Sequence, residues 1–231
     1  MQSTAHESED DPGPERRAPF PRWTNSASSA SLWALLVLLV GAPCFLMAWV
    51  RSPLHTGQFE RVDQPVAFDH RHHVRDDGIE CRYCHYDVAR SRTAGLPETE
   101  LCMGCHSQIW NQSPMLEPVR RSYFERRPIR WKRVDALPDF VYFDHSIHVA
   151  KGVGCETCHG RVDLMGAVFA QHDLQMGFCL ECHRNPAAYV RPPAEVTVMG
   201  YVPKEPQEAL GERLVREHAI HPPVYCSGCH R

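Results

Sequence analysis

The chain has 231 residues, 43% of them hydrophobic, and its 25 Lys and Arg against 28 Asp and Glu leave a formal charge of −3. That balance excludes a nucleic-acid-binding protein, which needs a basic face. Nineteen prolines, fourteen glycines and few long periodic apolar runs exclude a large self-sufficient core, so the eleven cysteines and fifteen histidines must carry the architecture.

Residues 1–30 read as an acidic, polar tail. No charge falls between Arg22 and Arg51, and "SLWALLVLLVGAPCFLMAWV", residues 31–50, is long and apolar enough to span a bilayer as one helix. A signal peptide has a shorter apolar core and a small-x-small cleavage site, so an uncleaved anchor is the expectation. Arg16, Arg17 and Arg22 precede the span and predict a cytoplasmic N-terminus in the inner membrane, with residues 51–231 in the periplasm. Cys44, inside the span, reads as a buried thiol.

The periplasmic part carries C-x-x-C-H five times: Cys81-Cys84-His85, Cys102-Cys105-His106, Cys155-Cys158-His159, Cys179-Cys182-His183 and Cys226-Cys229-His230. This is the attachment signature of c-type haem, with two thiols for the vinyl groups and an imidazole for the iron. The composition gives about 0.03 copies by chance. Zinc needs four ligands at one centre, so five units would leave one over, and a disulfide framework does not explain the His after every second cysteine. Five covalently bound haems, numbered I to V in chain order, are the expectation.

"AFDHRHHVRDDGIECRYCH", residues 67–85, recurs as "FDHSIHVAKGVGCETCH", residues 143–159. Each copy gives HxxH, a haem motif, a spacer and a second motif, which defines repeat 1 (about 65–115) and repeat 2 (about 140–185). A single-haem segment, about 186–231, follows a proline-rich connection. The spacing i, i+3 puts His70 and His73, and likewise His145 and His148, on one side of a short helix that Asp69 or Asp144 caps. Each iron lacks a second axial ligand, so these four histidines are candidates for it. Between the repeats lies "VRRSYFERRPIRWKR", residues 119–133, whose Arg120, Arg121, Arg126, Arg127, Arg130, Lys132 and Arg133 read as solvated charge or as a contact for propionates, lipid or a partner. The expected fold class is therefore mainly α and irregular: short helices and loops on a haem-packed core, with one N-terminal transmembrane helix.

F-x-H-x-x-H before CxxCH resembles the small class III multihaem cytochromes. The resemblance implies that His70 completes haem I and His145 haem III, while His73 reaches haem II and His148 haem IV. For haem V it directs attention to "QHDLQMGFC", residues 171–179, with Met176 as first choice, since a thioether raises the potential. His172, His221, Met165 and Met199 stay open, whereas His55, His72 and His218 read as propionate or surface contacts.

"AGLPETELCMGCHSQIW", "LPDFVYFDHSIHVAKGVGCETCHGRVDLM" and "LQMGFCLECHRNP" resemble the pentahaem cytochrome c subunit of bacterial alternative complex III over roughly 65–231. That resemblance implies an electron-transfer subunit with no catalytic residue of its own. Its implied partners are a polytopic quinol-oxidising subunit, a large iron–sulfur subunit, and a monohaem cytochrome c or terminal oxidase. The other reading is a single-helix quinol dehydrogenase that feeds a periplasmic reductase. Such chains place their first CxxCH close after the helix, whereas 30 residues separate Val50 from Cys81 here.

Overall fold

A computed structural model describes residues 20–230, so the tail residues Arg16 and Arg17 lie outside it. The chain divides into two compact units, residues 1–50 and 51–231. In the first, helix α1 (Trp23–Leu36), a π-helical turn (Val37–Gly41) and helix α2 (Ala42–Val50) form one continuous apolar run. At 28 residues and a mean hydropathy of 2.2 it is long and apolar enough to cross a membrane. It starts eight residues before the all-apolar stretch because Ser and Thr, uncharged, continue the helix towards Trp23. The π turn comes just before Pro43, which has no N–H for the regular ladder.

The second unit is made of short helices: α3 (Pro53–Thr56), α4 (Cys81–Cys84), α5 (Thr99–His106), α6 (Glu117–Glu125), α7 (His145–Ala150), α8 (Cys155–His159), α9 (Met176–Arg184) and α10 (Gln207–Glu217). Five of these eight carry haem-motif or HxxH residues. The described residues form no extended strands, only isolated bridges such as Val141 with His230 and Val153 with Val190. A mainly helical and irregular fold of short elements is what the composition predicts.

Helix α10 shows how little apolar core the chain itself provides. Leu210 and Leu214, one turn apart, point inward with Val190 and Ile220, while Arg213 pairs with Glu217 and Arg216 with Glu212 on the outer face. Gly211 faces the Ala187 carbonyl so closely that a Cβ has no room, which lets α10 lie against the turn at Pro186–Ala188. Each buried leucine contributes about 1.5–3 kcal/mol. The other buried apolar side chains are few: Val66, Val88, Val119, Met165 and Val196. The rest of the interior is lined by half-buried cysteines and histidines.

One polar staple braces the unit beside α8. Buried Arg191 donates to Glu156 at 2.9 Å and to the Val198 carbonyl at 3.0 Å, and its guanidinium lies 4.6 Å from the Tyr201 ring centre. Glu156 also accepts from the Gly200 N–H at 2.6 Å and the Tyr201 N–H at 3.1 Å. Removing either charge would strand the other in a buried site.

Candidate haem-binding sites

Each CxxCH motif closes a single helical turn or a short helix, which is how the pattern works mechanically: i, i+3 spacing brings both thiols to one side and the following His to the adjoining edge. Helix α4 starts at Glu80, whose carboxylate accepts from the Arg82 N–H, and α8 ends at Gly160 with φ of 67°. All ten motif cysteines are free thiols. Burial holds several of them protonated: Cys158 is pushed up to about 12 by burial and then by Cys182 and Cys179, and Cys182 up to about 11 by burial and then Cys179.

The histidines are set by their Nδ1 atoms. His85 Nδ1 lies 2.9 Å from the Gly95 carbonyl, His106 Nδ1 3.1 Å from that of Ile109, and His183 Nδ1 2.7 Å from that of Pro223. His159 Nδ1 instead meets the Asp135 carboxylate at 2.6 Å. Among the HxxH residues, His73 Nδ1 lies 3.1 Å from the Asp69 carbonyl, His148 Nδ1 2.7 Å from that of Asp144, and His145 Nδ1 2.8 Å from that of Arg92. A carbonyl can only accept, so in these rings the proton sits on Nδ1 and the Nε2 lone pair is left for a metal.

Helix α7 starts as the sequence predicts, with Asp144 accepting from the Ser146 N–H at 2.8 Å. In repeat 1 the same residues form a π-helical segment, Arg71–Asp76, and Asp69 receives both the Arg71 N–H and its guanidinium. Despite this difference the phenylalanine does the same thing in both. Phe68 meets His70 edge-on at 4.8 Å and stacks on His73 at 4.5 Å; Phe143 meets His145 edge-on at 4.7 Å and packs on His148 at 4.5 Å. One aromatic ring thereby fixes the directions of two imidazoles.

The pairings follow. The ring centres of His145 and His159 are 6.2 Å apart with planes 4° from parallel; His148 and His183 are 6.1 Å apart, and so are His73 and His106. Two imidazoles bound to one ion through Nε2 at about 2.0–2.1 Å each hold their centres roughly 6–6.5 Å apart. His70 is held neutral, its pKa pushed down to about 4 by burial and then by His85 and His73. His145 and His148 are also shifted downward, by burial first. Neutral imidazole is the form that binds metal. Free thiols, committed Nδ1 atoms and these separations fit c-type haem.

Several partners in this arrangement escape the sequence reading. Asp135 lies 24 residues before His159, and the carbonyls of Arg92, Gly95 and Pro223 have no side-chain signature. The repeated phenylalanines did carry a signal, their identical place in both copies. His70 differs from its counterpart His145: its Nδ1 is buried without a hydrogen-bond partner. Repeat 2 obtains that partner from the Ser91–Arg92 loop of repeat 1.

The candidates for haem V are less closely gathered. Met176 opens α9 with its side chain 64% exposed. His172 stacks on Phe178 at 4.5 Å and lines a shallow cleft with Glu156, Arg161, Met165 and Phe169. His221 is exposed, Met199 half-buried and Met165 buried. His230 lies 5.8 Å from Phe140 and bridges to Val141. Of the remaining histidines, exposed His72 pairs with Asp76 at 3.1 Å and His218 offers its carbonyl to Lys151.

The basic run 119–133 splits into two parts. Arg120 is structural, donating to the Asn111 and Ser113 carbonyls, and Ser122 is buried between Thr99 and the Arg127 carbonyl, which docks α6 on α5. Arg121, Arg126, Arg127, Arg130, Lys132 and Arg133 are exposed, with Phe124 74% exposed among them.

Comparison with known proteins agrees with this chemistry. Residues 147–231 match the cytochrome c3 family. The chain is also 33% identical over 102 residues, 44% of its length, to the "menaquinone reductase, multiheme cytochrome c subunit" of Nitratidesulfovibrio vulgaris. It spans about half of that relative, 48% of its length. The matched C-terminal part of this chain, which holds helices α8, α9 and α10 and the last three CxxCH motifs, is thus similar to cytochrome c3.

Proposed function

We propose that the chain is a membrane-anchored pentahaem electron-transfer subunit, and that its five CxxCH motifs each bind one c-type haem through Cys81 and Cys84, Cys102 and Cys105, Cys155 and Cys158, Cys179 and Cys182, and Cys226 and Cys229. The observation that carries the reading is the set of His–His pairs at 6.1–6.2 Å, each joining an HxxH residue to a CxxCH histidine. A bound haem supplies one-electron exchange at its iron. At haems II, III and IV the chain's part is to hold two axial imidazoles by their Nδ1 atoms, so that neither side of the iron is left for a substrate.

On this reading His85, His106, His159, His183 and His230 are proximal ligands. His70, His73, His145 and His148 complete haems I, II, III and IV, and Met176 completes haem V. With no open position the haems serve as a relay, which agrees with an electron-transfer subunit inside a quinone-linked complex. The helix Trp23–Val50 anchors it to the inner membrane with the N-terminus cytoplasmic and the haems periplasmic. As in alternative complex III, the five haems take electrons from quinol oxidised in a polytopic partner and pass them to a monohaem cytochrome c or terminal oxidase, in a complex that also holds a large iron–sulfur subunit.

The menaquinone reductase relative favours a second reading, in which the same relay runs towards the quinone pool. Purification from native membranes in mild detergent decides between them. Recovery with a polytopic subunit and a large iron–sulfur subunit, with quinol-driven reduction of cytochrome c, supports the first. Quinone reduction by the recovered complex supports the second, and isolation of the chain alone with quinol oxidation intact makes it a quinol dehydrogenase itself.

A further inference from the structure

The sequence numbers the motifs I to V, but the folded chain does not place them in that order. His70 and His73 share one segment and one phenylalanine, so the sites of haems I and II adjoin. The next link skips motif II. The Cys155 N–H donates to the Val196 carbonyl at 2.9 Å, and the Cys81 thiol reaches the carbonyl of the very next residue, Thr197, at 3.9 Å. A single buried connection therefore clasps motifs I and III together, and the α7 start reinforces it through His145 and Ser146 on the Arg92 and Ser91 carbonyls.

From motif III the path continues through α7, which carries His145 towards His159 and, one turn on, His148 towards His183. Motif IV meets motif V where His183 Nδ1 donates to the Pro223 carbonyl at 2.7 Å, three residues before Cys226. Exposure gives an independent sign of which motifs are terminal. Cys105 of motif II and Cys226 of motif V are exposed, whereas all six thiols of motifs I, III and IV are half-buried. Exposed Ile109 and Trp110 follow motif II, and exposed Val224 and Tyr225 precede motif V.

We propose that the five haem sites follow the spatial order II–I–III–IV–V, so that partner proteins exchange electrons at haem II and haem V while haem I, first in sequence, is interior. This rests on the pentahaem reading above. Tunnelling rates fall steeply with separation, so the order of sites fixes the order of transfer. It also assigns a place to the exposed basic and aromatic run of α6, which packs on α5 at the haem II end.

The test uses the full-length holoprotein in detergent. Haem content is counted from the pyridine haemochrome spectrum and the mass of the intact chain, and iron positions are located by anomalous scattering or cryo-electron microscopy. The expected result is five haems whose nearest-neighbour irons are II–I, I–III, III–IV and IV–V. Five haems with haem I at an end, or with haem II closest to III, IV or V, overturn the proposed order alone. A count below five overturns the pentahaem reading and the order with it.

Discussion

Among the described residues, Asp135 is the one carboxylate that holds a haem-motif histidine, at 2.6 Å from His159 Nδ1, where His85, His106 and His183 use backbone carbonyls. A carboxylate gives the imidazole more anionic character and stabilises the ferric state of an iron bound to Nε2. Asp135→Asn should therefore raise the midpoint potential of a single haem, by about 59 mV for each tenfold loss of preference for the ferric form. A redox titration followed in the visible spectrum, with haem content unchanged, checks it. Met176 is the corresponding question for haem V. If its thioether is the ligand, Met176→Leu lowers the potential of one haem or turns it high-spin, and an unaltered titration and spectrum remove Met176 from the ligand set.

Helix α7 has six residues and aims two imidazoles at two different sites. The one-turn offset between His145 and His148, with Phe143 packed against both rings, makes this a property of the element rather than of either residue. Because His148 pairs with His183, its replacement by Ala should disturb haem IV and leave haem III, on His145 and His159, nearly unchanged. Low-temperature EPR resolves this as the loss of one low-spin signal. The reverse pattern would break the assignment. Repeat 1 reaches the same ring geometry from a π-helical segment, in which Asp69 accepts the Arg71 N–H as Asp144 accepts that of Ser146 and in addition pairs with the Arg71 guanidinium.

At the scale of the molecule, the balance between chain and cofactor decides stability. Among the described residues only nine apolar side chains are buried, four of them around α10, and they cannot by themselves offset the conformational entropy of about 180 ordered residues. On the pentahaem reading, haems packed into the folded unit would supply the missing apolar contacts. A chain made without haem attachment should therefore be degraded or aggregate, and what survives should lack a cooperative thermal transition by circular dichroism. The C-terminal residues around α10 should be the last to become protease-sensitive.

How much of this was legible in the chain depends on how local the physics is. A thioether-forming pair and its histidine lie within five residues, so all five motifs, the HxxH pairs and the repeat could be read directly. An apolar helix without a single charge is equally local. The fold class followed from what the composition withheld, an adequate apolar core. The partners of the imidazoles were not legible, because backbone carbonyls carry no side-chain signal and Asp135 approaches His159 only after the loop between the repeats has closed. The adjacency of motifs I and III was hidden for the same reason: it depends on the Val196–Thr197 connection, some forty residues beyond α8, returning to bind Cys155 and Cys81 together. Sequence alone determined which residues can hold haem, since that chemistry is short-range; only the tertiary structure decided which site neighbours which, since that depends on long-range packing.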